Sequence, residues 1–523
     1  MHAGPSCHRV TLLPLNRVLE LPAGAGLREP LFAHGVEFPC GGKGRCKGCR
    51  VRVTQGELPP GEADRRLLTA GEVADGWRLG CRARVTGDLT LEVAQWEATI
   101  LSDDSAVSFT PQGGLGVAID LGTTTLALQL LDRTNGRVLA VRTALNQQAV
   151  HGADVMSRVH FATEEGGALV LRDLVRQQLG GLLTELRSEA ACAAPVEEVV
   201  LVGNTAMHHL FAGLDAAPLA HAPFESAQLG EMVFRGDELG WSDFAGAMVR
   251  FLPCLGGFVG SDILAGIFAT RLDESGPLRA LIDLGTNGEI VVGHGERLLC
   301  ASTAAGPAFE GARIGSGMRA ATGAIAEVNL VDGQYACRVL GGGSPRGICG
   351  SGLVDAVACG LDRGDVQPSG RLANGAPLEL RPPVRLEQRD IRELQLAKGA
   401  IAAGVRLLVE RFGAGLEDVA AVHLAGAFGN YISRANARRI GLLSFPPERV
   451  IAAGNTALLG AKMVLLRAVD PAHATRLCSP RIEHVSLNED PRFHEVYVDE
   501  MAFPSKGSVL DIDTSGLAVR CGG

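Results

Sequence analysis

Apolar and polar residues alternate near the start of the chain in a way that predicts a small β-rich domain. Two alternating runs, at 8–15 and 17–24, are typical of strands joined as a hairpin. The segment 27–35 has the spacing of a short helix, and the runs at 50–58 and 89–93 again favour strands. The pattern therefore predicts a sheet with one short helix ahead of the rest of the chain.

A different pattern follows, in which an apolar run ends in an acidic residue, a glycine turn and hydroxyl or amide side chains. GVAIDLGTTTLALQLLDRTNGRVLAVRTA (116–144) predicts strand, turn and strand, followed by a hairpin at its Asn-Gly pair. The arrangement returns in LRALIDLGTNGEIVVGHGERLLCASTA (278–304). A second similar pair, VVLVGNTAMHHL (199–210) and VIAAGNTALLGA (450–461), comes later in each half. The order of parts predicts two halves built alike.

Composition indicates a multidomain protein whose main partner is not nucleic acid. The chain has 523 residues, a net charge of −9 and a pI of about 5.9, and its length suits roughly two to four domains. The longest nearly apolar run, 199–214, is too short and polar to span a membrane, and the start lacks a targeting signal. We expect a cytoplasmic protein whose 13 cysteines are ligands or buried thiols rather than disulfides.

Four cysteines have the spacing of iron–sulfur ligands. Cys40, Cys46, Cys49 and Cys81 form the pattern C-x5-C-x2-C-x31-C. Three thiols on one tight loop and a fourth from a distant strand are how ferredoxins hold a [2Fe–2S] cluster. The glycines between them let the backbone pass close to the inorganic sulfides. Zinc is the competing interpretation, but it usually takes two C-x2-C pairs and only one is present. The spacing therefore favours one [2Fe–2S] cluster.

Residues 8–95 resemble the β-grasp ferredoxins, and the five-residue first gap resembles their adrenodoxin-like branch. Basic side chains surround the predicted cluster, in a region that carries more basic than acidic residues: Lys43, Arg45, Lys47 and Arg50. Such a rim suits docking to an acidic partner, although a solvated loop explains it equally well. The polar, Ser/Asp-rich segment 97–115 is typical of a linker.

The two DLGT hairpins favour phosphate chemistry. A glycine-rich turn presents backbone N–H groups and hydroxyls to phosphate oxygens, and a carboxylate at the strand end can organise Mg²⁺ through waters. Asp120 and Asp283 are the candidate catalytic carboxylates. The candidate phosphate-binding residues are Gly122, Thr123, Thr124, Thr125, Gly285, Thr286 and Asn287. One copy could simply end a buried strand, but two predict turns that face each other around a nucleotide triphosphate. No P-loop motif is present.

A third segment, AVHLAGAFGNYI (421–432), completes a resemblance to the actin, sugar-kinase and chaperone ATPase superfamily over residues 115–480. The resemblance implies that Gly426 and Gly429 lie beside the adenosine and that the GNTA segments are the connecting helices of the superfamily's hinge. We expect an α/β and α+β multidomain protein, a β-grasp ferredoxin followed by a two-lobed actin-like (ribonuclease H-like) ATPase. The expected domains are 1–96, the linker 97–115, lobes at 116–277 and 278–480, and a partly disordered extension at 481–523.

This combination closely resembles the reductive activators of corrinoid proteins. Three further segments are similar to loops of that family, at 256–266, 306–314 and 347–356. The resemblance implies ATP-dependent reduction of inactive Co(II) to Co(I) corrinoid, with one [2Fe–2S] cluster, ATP and Mg²⁺ as cofactors. It implies as partners a corrinoid protein of a methyltransferase system and an upstream low-potential electron donor, without membrane or nucleic acid. A homodimer is one expected form of the assembly.

Alternatives from other classes stay open from the residues alone. A metabolite kinase with a redox-sensing ferredoxin would require a small phosphate acceptor, and a non-enzymatic electron-transfer scaffold would lack ATP hydrolysis. A dehydratase activator usually bridges one cluster across a dimer, which conflicts with four ligands in one chain. The remaining cysteines lack cluster spacing and are expected to be buried. His208 and His209 lack a partner at ligand spacing, so a structural role is expected.

Overall fold

The chain divides into two compact units, which are described separately. One comprises Met1–Arg271 with Asn455–Ile482, and the other comprises Leu272–Gly454 with Glu483–Gly523. The computed structural model describes residues 7–505 except for 14–16, 35, 37–43, 45–48, 94–106, 108, 153, 191, 193, 286 and 479–480. Among the helices so described, none has both the length and the apolar composition needed to cross a membrane.

The N-terminal part of the first unit is a five-stranded sheet with short helices. Its elements are β1 (Cys7–Leu13), β2 (Arg17–Pro22), α1 (Arg28–Ala33), β3 (Arg50–Gln55), α2 (Glu62–Leu67), α3 (Ala70–Ala74), β4 (Trp77–Leu79) and β5 (Leu89–Val93). The strand order is β2-β1-β5-β3-β4, with β1 parallel to β5 and the other pairs antiparallel. Alternate residues of β5 (Leu89, Leu91 and Val93) are buried in the core, as the period-two pattern predicts. This is the β-grasp arrangement expected from the sequence.

The rest of the first unit is built on a six-stranded sheet. Its elements up to residue 271 are β6 (Leu115–Leu121), β7 (Thr125–Asp132), β8 (Val138–Leu145), α4 (Val155–Glu164), α5 (Ala168–Ala190), β9 (Val196–Val202), α6 (Thr205–Ala212), β10 (Met232–Arg235), β11 (Met248–Phe251) and α7 (Ser261–Thr270). The strand order is β10-β11-β9-β6-β7-β8. β6, β7 and β8 are antiparallel neighbours, whereas β9 and β11 continue the sheet in parallel with β6.

The second unit repeats this plan. Its elements, with the two helices that return to the first unit, are β12 (Arg279–Leu284), β13 (Gly288–His294), β14 (Arg297–Thr303), β15 (Ala324–Val331), β16 (Gln334–Val339), β17 (Gly347–Ile348), α8 (Gly350–Arg363), β18 (Leu378–Glu379), β19 (Arg385–Leu386), α9 (Gln388–Phe412), β20 (Ala421–Ala425), α10 (Gly426–Tyr431), α11 (Arg434–Arg439), β21 (Val450–Gly454), α12 (Thr456–Leu465), α13 (Pro471–Leu477), β22 (Ile482–His484) and α14 (Phe493–Met501). The main sheet has the order β21-β20-β12-β13-β14-β22. Three antiparallel strands are again followed by two parallel ones. The predicted fold class is confirmed.

The two GNT segments, which repeat in the sequence, do not lie at equivalent positions in the two sheets. The first GNT segment follows β9, which pairs with β6, whereas the second follows β21, which pairs with β20 and not with β12. By position in the sheet, the equivalent of β9 is β20, so the two GNT segments occupy different strand–helix junctions. The similarity therefore reflects a shared way of starting a helix.

Domain boundaries also differ from those drawn on the sequence. Residues 455–480 were assigned to the second lobe and 481–482 to the extension, but all of them belong to the first compact unit. The reason is packing: a Cβ on Gly460 of α12 would lie 2.1 Å from the Ala265 oxygen of α7, so the two helices approach closely through small residues. Within the predicted C-terminal extension, α14 lies in the second unit and buries Val496 in its core.

Candidate functional site

Two of the four predicted cluster ligands lie side by side at one end of the β3–β4 pair. Arg50 of β3 pairs with Leu79 of β4, so Cys49 directly precedes one strand and Cys81 closely follows the other. The Gly80 N–H donates to the Cys49 carbonyl at 2.9 Å, and both cysteines are buried. A Cβ on Gly80 would lie 2.7 Å from a methyl of Leu31, which favours glycine beside the thiols. This arrangement suits one edge of a sulfur-ligated cluster. Cys40 and Cys46 lie outside the described residues.

The predicted basic rim is only partly described, because Lys43, Arg45 and Lys47 lie outside the described residues. Arg50 donates to Glu72 at 3.1 Å, and its guanidinium lies over the Trp77 ring. Its charge is therefore partly neutralised within the domain. Steering of a partner stays a prediction that depends on the two lysines.

The first DLGT turn joins β6 to β7 and requires a glycine. The Gly122 N–H donates to the Thr125 carbonyl at 3.1 Å. A Cβ on Gly122 would lie 2.5 Å from that carbonyl oxygen, so a larger residue would force the turn open. Asp120 stands where β6 ends, opposite Ala127 of β7. The turn thus presents Thr123 and Thr124 next to a strand-end carboxylate.

Two helices begin at this turn, each capped by an asparagine that also holds the turn. Asn204 accepts from the Met207 N–H at the start of α6, and its amide donates to Thr123 Oγ1 at 2.7 Å. Asn455 accepts from the Leu458 N–H at the start of α12, and its amide donates to Asp120 Oδ2 at 3.0 Å. Helix N-termini carry partial positive charge and unpaired N–H groups, so this geometry suits an anion.

A third helix begins nearby through contacts that only small residues allow. The Ser261 N–H at the start of α7 donates to the Gly203 carbonyl at 2.9 Å, and Ser261 Oγ also contacts Gly203. A Cβ on Gly260 would lie 2.2 Å from that same carbonyl oxygen. The segment 256–266, similar by sequence to a family loop, therefore lies against the junction that leads into α6.

The surroundings of Asp120 raise its pKa in a way that a bound cation would oppose. Burial raises the pKa of Asp120 to about 6, while the amide of Asn455 opposes the rise. Among the residues that the structure describes, no positively charged side chain contributes to that shift. A bound divalent cation would offset the cost of the buried negative charge, so Asp120 fits the Mg²⁺-organising role expected from the sequence.

The second DLGT turn has a corresponding carboxylate in the second unit. Asp283 of β12 pairs with Ala425 of the parallel strand β20, so Gly426 follows at the same edge of the sheet. Gly426 has φ +84°, and a Cβ there would lie 2.7 Å from Asp283 Oδ1. The Gly285 N–H donates to the Asn287 carbonyl at 3.0 Å and closes the turn. Thr286 lies outside the described residues.

Two further loops contact the predicted adenosine motif, 421–432, within the second unit. Phe309 and Phe428 stack with ring centroids 4.7 Å apart. A Cβ on Gly350, at the start of α8, would lie 2.0 Å from the Phe309 carbonyl oxygen and 3.0 Å from the Phe428 ring. Gly429 is buried against Leu424 of β20. The predicted motif and the segments 306–314 and 347–356 therefore converge within this unit.

The two histidines and the other cysteines noted in the sequence have the contacts of residues that stabilise the fold. His209 bonds the Thr205 carbonyl and Ser226 Oγ, each at 2.8 Å, and His208 bonds the Gly230 carbonyl at 3.1 Å. Burial lowers the pKa of His208 to about 4, so this side chain is neutral near pH 7. Of the other cysteines in the described residues, Cys254, Cys300, Cys349 and Cys359 are buried.

Sequence reasoning missed the asparagines that organise the first turn. Asn204 and Asn455 were noted only as members of a repeated GNTA segment, and Asn146 and Arg158 were not singled out. The signal for the first two was present, since a Gly-Asn-Thr step between a strand and an apolar helix is a typical N-cap. Their second hydrogen bonds could not be predicted, because these join residues 81 and 335 positions apart.

Comparisons with known proteins cover nearly the whole chain. Residues 10–86 match the 2Fe-2S iron-sulfur cluster binding domain, residues 115–275 match the RACo middle region, and residues 278–511 match the C-terminal domain of RACo, the ASKHA domain. The first match supports a [2Fe–2S] cluster.

Three relatives that match most of the chain have related names. The chain is 34% identical to the corrinoid activation enzyme RamQ of Eubacterium limosum, over 77% of this chain and 74% of the relative. It is 26% identical to the [Co(II) methylated amine-specific corrinoid protein] reductase of Methanosarcina barkeri, over 76% and 78%. A solved reductive activator for corrinoid, iron-sulfur protein superposes with a TM-score of 0.67 at 26% identity, covering 95% of this chain and 99% of that one.

Proposed function

Since the chain belongs to the family of reductive activators of corrinoid proteins, we propose that it uses ATP to drive one electron onto the Co(II) corrinoid of a methyltransferase partner. The observation that carries the proposal is the pairing, in one chain, of a ferredoxin fold with adjacent Cys49 and Cys81 and a duplicated domain with two phosphate-type turns. The ferredoxin fold does not need the duplicated domain to hold a cluster, and the duplicated domain does not need the cluster to bind phosphate. Their presence in one chain therefore suits an electron transfer that needs an input of energy.

The energetic reason for ATP follows from typical potentials. Plant-type ferredoxins lie near about −400 mV, and the family resemblance implies that Co(I) corrinoid is a stronger reductant. Each deficit of about 59 mV costs about 1.4 kcal/mol for one electron. Moving a two-state equilibrium from 1:99 to 99:1 takes about 5.5 kcal/mol of differential binding. Nucleotide binding and hydrolysis can therefore offset the deficit by changing which conformation of the complex is populated.

The residues divide the work as follows. Cys40, Cys46, Cys49 and Cys81 would hold the [2Fe–2S] cluster, which supplies one-electron chemistry. Asp120 and Asp283 would organise Mg²⁺ at the two turns, whose N–H groups and hydroxyls bind phosphate. Gly426 and Gly429 would leave room for the adenosine. The use of both turns on one nucleotide, the upstream donor, a homodimer and a cytoplasmic location all stay predictions.

A pair of variants separates the two halves of this function. Asp283→Asn keeps the side-chain shape but removes the charge, and should leave about two irons and two sulfides per chain while abolishing most ATP hydrolysis. Cys81→Ser should spoil the cluster and leave ATP hydrolysis near the normal rate. Iron, sulfide and phosphate-release assays on anaerobic protein measure both. Tightly bound zinc without labile sulfide would contradict the cluster assignment.

The same assays decide between the alternatives. Phosphate transferred to a metabolite instead of water would favour a kinase with a redox-sensing ferredoxin. An electron-transfer scaffold would reduce the partner without ATP hydrolysis, and Asp283→Asn would then have no effect on reduction.

A further inference from the structure

One short segment of the first unit contacts both the ferredoxin domain and the DLGT turn. On the ferredoxin side, Leu145, Ala149 and Val150 pack against the buried core of that domain. The guanidinium of Arg28, at the start of α1, donates to the Val150 carbonyl. This surface therefore comes from the end of β8 and the 3-10 turn Gln147–Val150.

The same segment is hydrogen-bonded to the backbone of the DLGT turn. The Asn146 N–H donates to the Thr124 carbonyl at 2.8 Å, and its side-chain amide donates to the Gly122 carbonyl at 2.9 Å. Asn146 also caps the 3-10 turn by accepting from the Gln148 N–H at 3.0 Å. Asn146 and Gln148 are fully buried. A displacement of the DLGT backbone would therefore alter the hydrogen bonds that shape the ferredoxin contact.

Arg158 of α4 forms hydrogen bonds both with this segment and with the DLGT turn. Its guanidinium donates to the Gly152 carbonyl at 2.9 Å, to Gln148 Oε1 at 3.2 Å and to the Thr123 carbonyl. The side chain is fully buried and is bonded to neutral oxygens rather than to a carboxylate. Burial lowers the pKa of Arg158, and the charge of Asp154 only partly opposes that lowering. An anion at the adjacent turn would therefore reduce the cost of burying the guanidinium.

His151 lies within electrostatic reach of both arginines. Burial lowers its pKa, the charges of Arg28 and Arg158 add to the lowering, and the charge of Glu165 opposes it. Its ring stacks on Phe161 of α4, with centroids 4.3 Å apart. The ferredoxin arginine and the turn arginine therefore act on the same side chain.

We propose that Asn146, Gln148 and Arg158 form a positioning relay through which nucleotide at the DLGT turn alters how the ferredoxin domain is held by residues 145–151. The relay rests on the proposed function, since it requires a nucleotide at Gly122–Thr125. It deepens that function by assigning the route from nucleotide to ferredoxin. Such coupling is reciprocal. If nucleotide changes the equilibrium constant for the ferredoxin contact by some factor, release of that contact must change the nucleotide affinity by the same factor.

Amide hydrogen exchange on the full-length, cluster-loaded protein measures both ends of the relay. Calorimetry first establishes binding of a non-hydrolysable ATP analogue with Mg²⁺, and exchange is then compared with and without saturating analogue. We expect exchange at residues 145–151 and 24–31 to change by at least about threefold on binding, as for a local opening equilibrium that shifts with ligand.

Three variants locate the relay. Arg28→Ala should keep the change at 145–151 and lose it at 24–31. Arg158→Gln, at saturating analogue, should lose both changes, and Arg158→Lys should restore them in part because it keeps the charge. Arg84→Ala is the matched control: Arg84 donates to the Gly24 carbonyl within the ferredoxin domain, and its loss should leave both changes intact.

The outcomes distinguish the relay from the function on which it rests. Binding of the analogue with unchanged exchange at 24–31 in the wild-type protein would overturn the relay and leave the proposed function standing. Equal responses in Arg28→Ala and Arg84→Ala would also overturn it. Absence of any binding would overturn both.

Discussion

Burial makes the charged form of Asp120 costly, and the amide of Asn455 offsets only part of that cost. Its carboxylate is half-buried and receives one side-chain hydrogen bond, from Asn455. With a pKa near 6 in the folded protein and about 3.9 in the unfolded chain, Asp120 binds more protons when folded between those two values. Its contribution therefore lowers the stability of the protein as pH rises from 4 to 6, and the cost is complete above pH 6.

We expect Asp120→Asn to stabilise the protein while it removes activity. At pH 7 the variant should gain about 3 kcal/mol, the equivalent of the shifted pKa, and its advantage should disappear near pH 4. ATP hydrolysis should fall at least about tenfold. Thermal unfolding across pH 4–7 and phosphate release measure the two effects. A variant that is destabilised at pH 7 would show that the carboxylate holds the fold together.

At the scale of elements, the first turn is organised by two N-cap asparagines at different strand–helix junctions. Asn204 begins α6 and Asn455 begins α12, and each uses its oxygen on its helix and its amide on the turn. Capping alone could be done by serine or aspartate. Asparagine adds to that acceptor a separate amide donor for Thr123 or Asp120, which an aspartate carboxylate lacks.

This division predicts the effect of Asn455→Asp. The carboxylate keeps an acceptor for the Leu458 N–H, so the cap of α12 should be retained. Facing Asp120, however, it replaces a donor with a like charge, which raises the pKa of the pair and should cut ATP hydrolysis at least about tenfold. Asp470→Asn, at the cap of α13, is the control that should leave hydrolysis unchanged. Equal hydrolysis in both variants would contradict this role.

At the scale of the whole molecule, the sequence was sufficient for the domain types but not for how segments combine. Cysteine spacing and the DLGT repeats predicted the ferredoxin fold and the duplicated sheets, since both patterns are local. The return of residues 455–482 to the first unit could not be predicted, because it depends on α12 packing against α7 at Gly460 and Ala265. Arg158 was missed for a similar reason: its partner Thr123 lies 35 positions away.

Partner steering is a prediction about the charge of the ferredoxin surface. Lys43→Glu with Lys47→Glu should slow activation of the corrinoid protein and weaken its dependence on salt, because both lysines lie between predicted cluster ligands in the sequence. Arg17→Glu is the matched control within the same domain, since β2 is the sheet edge opposite the β3–β4 pair. Activation rates across ionic strength provide the measurement, and equal effects at both places would argue against a specific rim.

The central claim is that ATP drives the electron onto cobalt, and one anaerobic experiment tests it directly. Reduced full-length protein is mixed with a Co(II) corrinoid protein from a methyltransferase system, and the Co(I) absorbance is followed with ATP, with a non-hydrolysable analogue, and without nucleotide. The account predicts that Co(I) accumulates with ATP, and that little forms in the other two mixtures or with Asp283→Asn. Formation of Co(I) at the same rate and to the same extent without ATP would contradict it.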